Sequence, residues 1–414
     1  MITGFKDKKY ALIGNIPSPL FPQRLHGMLA DYSYKYVETN KNGVRRILED
    51  EGYDGFHITY PLKESAYHCI DNVSEAAEKI GCVNVAVRRD GVLFGDNTEY
   101  SDFMYLLTNN NIDISAKKVL ILGSGSSSKA VKAALLDNGA DEAVVVSRNG
   151  AENYSSLDMH DDTAVIVNTT PVGMTPNYTS SPLSLRYFKN LEAVIDIVYD
   201  PFRTELMLQA EQYGIPAYGG IDMLLHQSKS VCEAFTGRRI SDISVSRAGA
   251  SLEAEIKNIV LVGMPGCGKS RIALEIARSL GRELHDTDDE ISRTAGLEIP
   301  EIYELFGEDY FRQKETEIIK NVARGIGSVI ASGAGAILKD ENIKELRRRS
   351  TVVFLRREIE RLATQKARIG NRNTLMKLYK ERIPLYLAAS DLIVDVEETP
   401  KDTAKAVIKA IYKK

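Results

Sequence analysis

Lys118-Val-Leu-Ile-Leu-Gly123-Ser-Gly125-Ser-Ser-Ser128-Lys-Ala-Val131 and Ile259-Val-Leu-Val-Gly263-Met-Pro-Gly266-Cys-Gly268-Lys269-Ser270 are the two stretches that organise this chain. In each, a run of β-branched residues and leucines leads into glycines. A helix-compatible run follows, Val131–Leu136 in the first and Ile272–Leu280 in the second. Strand, loop and helix in that order give the setting of a phosphate-binding loop, because free backbone N–H groups at a helix start face an anion. The fold class read from this pattern is α/β.

The second loop has the complete spacing Gly263-x-x-x-x-Gly268-Lys269-Ser270, a Walker A loop. Gly263, Gly266 and Gly268 let backbone N–H groups form a nest for the phosphates of ATP; Lys269 neutralises phosphate charge, and the Ser270 hydroxyl suits Mg²⁺. Cys267 reads as a small residue tolerated by the tight turn. Downstream, His285-Asp286-Thr-Asp288-Asp289-Glu290 ends a short predicted strand. In an extended segment Asp286 and Asp288 share one face, one carboxylate for the metal and the other for a substrate hydroxyl. Phe311-Arg312 and Arg382-Ile-Pro384-Leu-Tyr386 supply guanidinium groups suited to a carboxylate. Gly333-Ala334-Gly335 can bring backbone N–H groups close to a ligand.

The first loop, Gly123-Ser124-Gly125-Ser126-Ser127-Ser128, is a dinucleotide-binding pattern with serine at the third glycine position. The next predicted strand, Ala143–Val146, ends in Ser147-Arg148-Asn149. An acidic residue there would hold the ribose 2′-hydroxyl of NAD; Arg148 suits the 2′-phosphate of NADP(H). A third apolar run, Ala164–Val167, leads to the polar strand end Asn168–Met174.

Working outward, the chain is too long, at 414 residues, for one ordinary domain. With 53 basic and 57 acidic residues it carries a formal charge of −4, so no basic excess asks for nucleic acid or an anionic membrane. There is no apolar leader and no run long enough to span a bilayer, and the four cysteines are scattered, so a cytoplasmic protein is expected. Residues 1–100 alternate short apolar runs (Tyr10–Ile13, Gly55–Thr59, Val83–Val87) with helical stretches, a separate α/β unit. The expected division is 1–100, completed by a helix at 220–240; 101–219 for the dinucleotide; a polar tether at 241–256; and 257–414.

The assembled motifs carry two resemblances. Residues 258–414 resemble shikimate kinase through the Walker loop, Asp286-Thr-Asp288, Gly307-Glu-x-x-Phe-Arg312 with Glu315, Gly333-x-Gly335 and Arg382-x-Pro-Leu-Tyr386. The resemblance implies that Lys269 and Ser270 bind MgATP, that Asp286 helps hold the metal, and that Asp288 grips the hydroxyl to be phosphorylated. Arg312, Arg382, Gly333 and Gly335 would hold the shikimate carboxylate. The family's Arg-Pro-Leu lid is replaced by Lys366-Ala-Arg368-Ile-Gly-Asn-Arg372, in which Arg368 is the candidate phosphate contact and Arg372 the second.

Residues 1–240 resemble shikimate dehydrogenase through Thr59-x-Pro-x-Lys63, Ile80-Gly-Cys-Val-Asn84, Gly95-Asp-Asn-Thr98, Asp196-x-Val-Tyr199 and Gly220-x-x-Met223-Leu-x-x-Gln227. The implied catalytic pair is Lys63 and Glu99. Thr59, Asn84, Tyr199 and Gln227 would contact the substrate, and Gly123 to Ser127 with Arg148 the cofactor. Glu99 stands where the family has aspartate, His57 where it usually has asparagine, and Val85 where it has threonine. A gapless match puts Leu20 and Pro22 where the family's carboxylate-holding serines sit, with Ser18 near, and Arg24 or His26 as a substitute.

The fold expected is therefore a shikimate dehydrogenase-like substrate domain plus a Rossmann NADP domain, followed by a P-loop, nucleoside monophosphate kinase-like parallel-sheet domain. The function expected is fused: 3-dehydroshikimate reduced to shikimate with NADPH, then shikimate phosphorylated with ATP and Mg²⁺. The alternative keeps the kinase but makes the first half a degenerate or altered-specificity, quinate-like dehydrogenase serving as a binding or regulatory module. Partners are these small molecules, with a homodimer as the assembly held open.

Overall fold

The computed structural model describes residues 1–362 and 372–412. Arg368 lies outside the described residues, as does the side chain of Arg372. The chain divides into two compact units, Met1–Leu252 and Glu253–Lys414.

The first unit holds two sheets. Strands β1 (Lys9–Gly14), β2 (Ser33–Glu38), β3 (Gly55–Ile58), β4 (Asn72–Val73), β5 (Val85–Arg89) and β6 (Val92–Asp96) form a mixed sheet in the order β2-β1-β3-β5-β6-β4. Strands β7 (Lys118–Leu122), β8 (Glu142–Val146), β9 (Val165–Asn168), β10 (Ala193–Asp196) and β11 (Ala217–Gly219) form a parallel sheet ordered β11-β10-β9-β7-β8. The unbroken apolar run at β7 follows from burial on both faces. Val119 and Ile121 belong to one core, Leu120 and Leu122 to the other, so no position faces water.

The second unit is a five-stranded parallel sheet of β12 (Asn258–Val262), β13 (Leu284–Asp286), β14 (Val329–Ala331), β15 (Ser350–Arg356) and β16 (Leu392–Asp395), in the order β13-β14-β12-β15-β16. Parallel pairing puts every carboxyl end on one edge. The Walker loop leaves β12 there, Asp286 ends β13, Gly333 follows β14, and Arg357 follows β15.

Two local expectations are corrected. The stretch expected as a polar tether is a helix, Asp242–Ile256, with Val245, Ala248 and Leu252 buried. Their helical spacing was masked by the serines, alanines and glycine between them. Asp286 and Asp288 do not alternate along a strand. A helix, Thr287–Ala295, begins immediately after β13, and Asp286 caps it by accepting the Asp288 N–H at 3.1 Å.

Candidate active sites

In the first unit, three helices start at one cavity. Lys63 opens helix Lys63–Tyr67, Glu99 opens Glu99–Asn109, and Ser127 lies in the first turn of Ser126–Asp137, the helix after the glycine loop. The cavity, of about 150 Å³, is walled by these three with Ser18, Thr59, Tyr199, Asp200 and Gln227 among others. Lys63 Nζ donates to Glu99 Oε1 at 2.6 Å, and the Ser127 hydroxyl donates to the same oxygen at 2.6 Å. Glu99 is 1% exposed, and its Oε2 has no hydrogen-bond partner. A buried carboxylate is costly unless paired, and Lys63 and the positive end of its own helix are what Glu99 has for positive partners.

Behind the cavity, buried His57 meets the Tyr34 hydroxyl through Nδ1 at 2.6 Å and also bonds the Gln227 side chain. Burial, with the nearby Lys63 charge, holds the ring down to about 3, so it is neutral and one nitrogen accepts while the other donates. Asn84 is fully buried; its amide donates to Thr98 Oγ1 and accepts the Thr98 N–H, both at 2.9 Å. Thr98 in turn donates to Asp102.

The glycine loop fits a dinucleotide. The helix starting at Ser126 has no side-chain cap; its Ser128 N–H meets the Gly125 carbonyl at 3.2 Å, and the N–H groups ahead of it face the place of a pyrophosphate. Ser128, at the third glycine position, is buried and folds its hydroxyl onto the Gly125 carbonyl at 2.7 Å. Arg148 stands exposed just beyond β8. Asp196, at the end of β10, accepts from Thr204, Asn168 and the Val198 N–H. Burial nonetheless pushes its carboxyl up to about 7.

In the second unit, an open cleft of about 1150 Å³ is walled by Gly266, Gly268, Lys269 and Ser270, by Asp286, Asp288, Arg312 and Glu315, and by Gly333, Gly335 and Arg357. The loop is built for phosphate. Gly263 has φ +153°, and a β-carbon there would lie 2.8 Å from the Leu355 carbonyl. Lys269 Nζ donates to the Gly263 carbonyl at 2.9 Å, which keeps the ammonium at the loop. No cluster of three His, Cys, Asp or Glu side chains able to hold a metal occurs among the described residues. Mg²⁺ carried by nucleotide phosphates needs only one or two protein ligands, and Ser270 with Asp286 on the cleft wall meets that need.

Across the cleft, Arg312 Nη1 donates to buried Glu315 at 2.8 Å and its Nη2 to Glu308 at 3.2 Å. Burial raises the Glu315 carboxyl above its usual range, and the Asp288 charge adds to this against the pull of Arg312.

The family model for the shikimate dehydrogenase substrate binding domain matches residues 17–86, and that for shikimate kinase matches 265–412. An NADP(+) shikimate dehydrogenase from Staphylococcus epidermidis is 31% identical over 248 residues, covering 55% of this chain and 92% of its own. The chain belongs to the shikimate dehydrogenase family. A shikimate dehydrogenase from Peptoclostridium difficile matches in structure at TM-score 0.57 and 27% identity, over 59% of this chain and 97% of its own. The Thermus thermophilus enzyme, solved with NADP(H) and shikimate, matches at 0.52 and 25%, over 61% of this chain and 100% of its own. With the kinase match, the chain joins a dehydrogenase part to a kinase part.

The structure redistributes several expected contacts. On the dehydrogenase side Lys63, Glu99, Thr59, Tyr199 and Gln227 share the cavity, whereas Asn84 is fully buried and not on its wall, donating one amide N–H to Thr98 Oγ1 and accepting the Thr98 N–H. Ser127, expected on the cofactor, turns its hydroxyl to Glu99. Leu20 and Pro22 lie in the first turn of helix Leu20–Leu29, off the cavity wall, and neither Arg24 nor His26 reaches it. Ser18 does, donating to Asp200. Fully buried His26 instead meets the Tyr32 hydroxyl at 2.6 Å.

On the kinase side the Gly333 N–H donates to Thr287 Oγ1 at 2.8 Å and is not offered to a ligand. Arg382 donates to the Ala334 carbonyl at 3.0 Å beside Tyr386, and is not among the described residues that wall the cleft. Sequence reading missed Asp200 and Arg357 as wall residues. The signal for Arg357 was its place just after β15, whose Leu355 abuts the Walker loop.

Proposed function

We propose that this chain catalyses two consecutive reactions, the NADPH-dependent reduction of 3-dehydroshikimate to shikimate and the MgATP-dependent phosphorylation of shikimate at its 3-hydroxyl. The observation that carries the reading is the Lys63–Glu99 pair, 2.6 Å apart in a cavity wall completed by the first turn of the cofactor helix. Bound NADPH supplies the hydride. The protein's task is the proton: the Lys63 ammonium gives one to the oxygen of the carbon being reduced, and Glu99 holds that ammonium in place. Lys63 keeps 12% of its side chain exposed, enough to be reprotonated from solvent. Thr59, Tyr199 and Gln227 orient the ring, and Arg148 selects the phosphorylated cofactor.

In the kinase cleft, bound ATP supplies the phosphoryl group. Lys269 neutralises phosphate charge, and Ser270 and Asp286 would hold the magnesium. Asp288 orients the attacking hydroxyl, and Arg312, held by Glu315, takes the carboxylate of shikimate. We place both reactions in the cytoplasm, since all four cysteines are free of disulfides and no helix among the described residues is long and apolar enough to cross a membrane.

The test uses the intact chain and two variants. Lys63→Ala should lower NADP⁺ reduction by shikimate at least a hundredfold while ATP turnover with shikimate persists. Lys269→Ala should do the reverse. A Lys63→Ala protein that still reduces NADP⁺ at the normal rate would refute the assignment of the pair.

A further inference from the structure

We propose that Ser127 is a positioning residue for the dehydrogenase reaction, tying the cofactor loop to the Lys63–Glu99 pair; this rests on reading that pair as the proton-exchanging one. Ser127 sits in the first turn of helix Ser126–Asp137, where a serine hydroxyl would ordinarily serve a bound phosphate. Its hydroxyl instead enters the substrate cavity and donates to Glu99 Oε1 at 2.6 Å, with Lys63 Nζ 3.4 Å away.

Glu99 is held through that one oxygen, because its Oε2 is buried without a hydrogen-bond partner. Lys63 and Ser127 therefore fix the carboxylate from two directions, one from the substrate side and one from the cofactor side. Without Ser127 the carboxylate could swing about the Lys63 contact and carry the ammonium off line. The reach of glutamate matters here. An aspartate on the same helix would withdraw the carboxylate by about one C–C bond, roughly 1.5 Å, which is beyond a 2.6 Å bond's tolerance. The same helix start offers N–H groups to the pyrophosphate, so the loop that receives the cofactor also sets the geometry of the pair.

The experiment uses the full chain, with kinase turnover as the check that each variant is folded. Ser127→Ala should lower kcat for NADP⁺ reduction by at least tenfold. The KM for shikimate, and the NADPH dissociation constant measured by fluorescence without substrate, should stay within twofold. Ser127→Thr, which keeps the hydroxyl, should recover most of the rate. In a Glu99→Asp background Ser127→Ala should cost less than twofold more, since the contact is already gone. Normal kcat in Ser127→Ala, a tenfold weaker NADPH affinity at normal kcat, or no recovery in Ser127→Thr would each overturn the proposal. Normal turnover in Lys63→Ala would overturn instead the reading on which it rests.

Discussion

Acidification should weaken the dehydrogenase unit through His57, and the size of the effect follows from its surroundings. The ring is 2% exposed, beside Tyr34, Gln227 and the Lys63 charge, and its value falls from 6.5 to about 3. Between those values the unfolded chain holds a proton that the native ring lacks, so stability rises with pH across that window. The difference is nearly absent at pH 7, about 0.2 kcal/mol, and reaches about 2 kcal/mol at pH 5. The second figure depends chiefly on the ordinary value, because at pH 5 the native ring is already neutral. His57→Asn removes the titration while keeping an amide able to bond Tyr34 and Gln227. The assay is urea unfolding at pH 7 and pH 5, following the transition that added NADPH shifts upward, which belongs to this unit. The stability lost on acidification should be about 2 kcal/mol smaller in the variant. Groups away from His57 are common to both proteins and cancel, while His26, held down by burial and by the His57 charge, is relieved in the variant and shifts the difference in the same direction. Equal losses in the two proteins would refute the reasoning.

Two further outcomes test the clefts separately. A β-carbon at Gly335 would overlap the Arg312 guanidinium, so Gly335→Ala should raise the KM for shikimate in ATP turnover at least tenfold with the KM for ATP within twofold. A normal shikimate KM would remove Arg312 from the substrate. Arg148→Ala should raise the KM for NADPH tenfold or more and leave the KM for NADH unchanged, measured by nicotinamide absorbance. Equal effects on both cofactors would mean that Arg148 does not read the 2′-phosphate.

Local sequence determined the two nucleotide loops. A loop of Gly263-x-x-x-x-Gly268-Lys269-Ser270 after an apolar strand is specified by backbone geometry within a dozen residues, and the parallel sheets behind both loops announced themselves as unbroken apolar runs. Asp288 and Arg312 were legible as candidate chemistry in short, contiguous motifs, whereas Lys63 and Glu99 entered only through the family resemblance that such motifs carry. Tertiary structure decided which polar atoms remain available to a ligand. Asn84 and the Gly333 N–H carry motif positions, but the Asn84 amide is turned to Thr98 and the Gly333 N–H is taken by Thr287, and both partners come from elsewhere in the chain. Arg382 lies 48 residues from the carbonyl it donates to. The helix Asp242–Ile256 was hidden because alanine, serine and glycine do not mark a face until something packs against it. The meeting of Ser127 with Glu99, 28 residues apart on two helices, exists only once both helix starts converge on one cavity. A hydrogen bond is set by where side-chain atoms end up in space, and spacing along the chain does not carry that information.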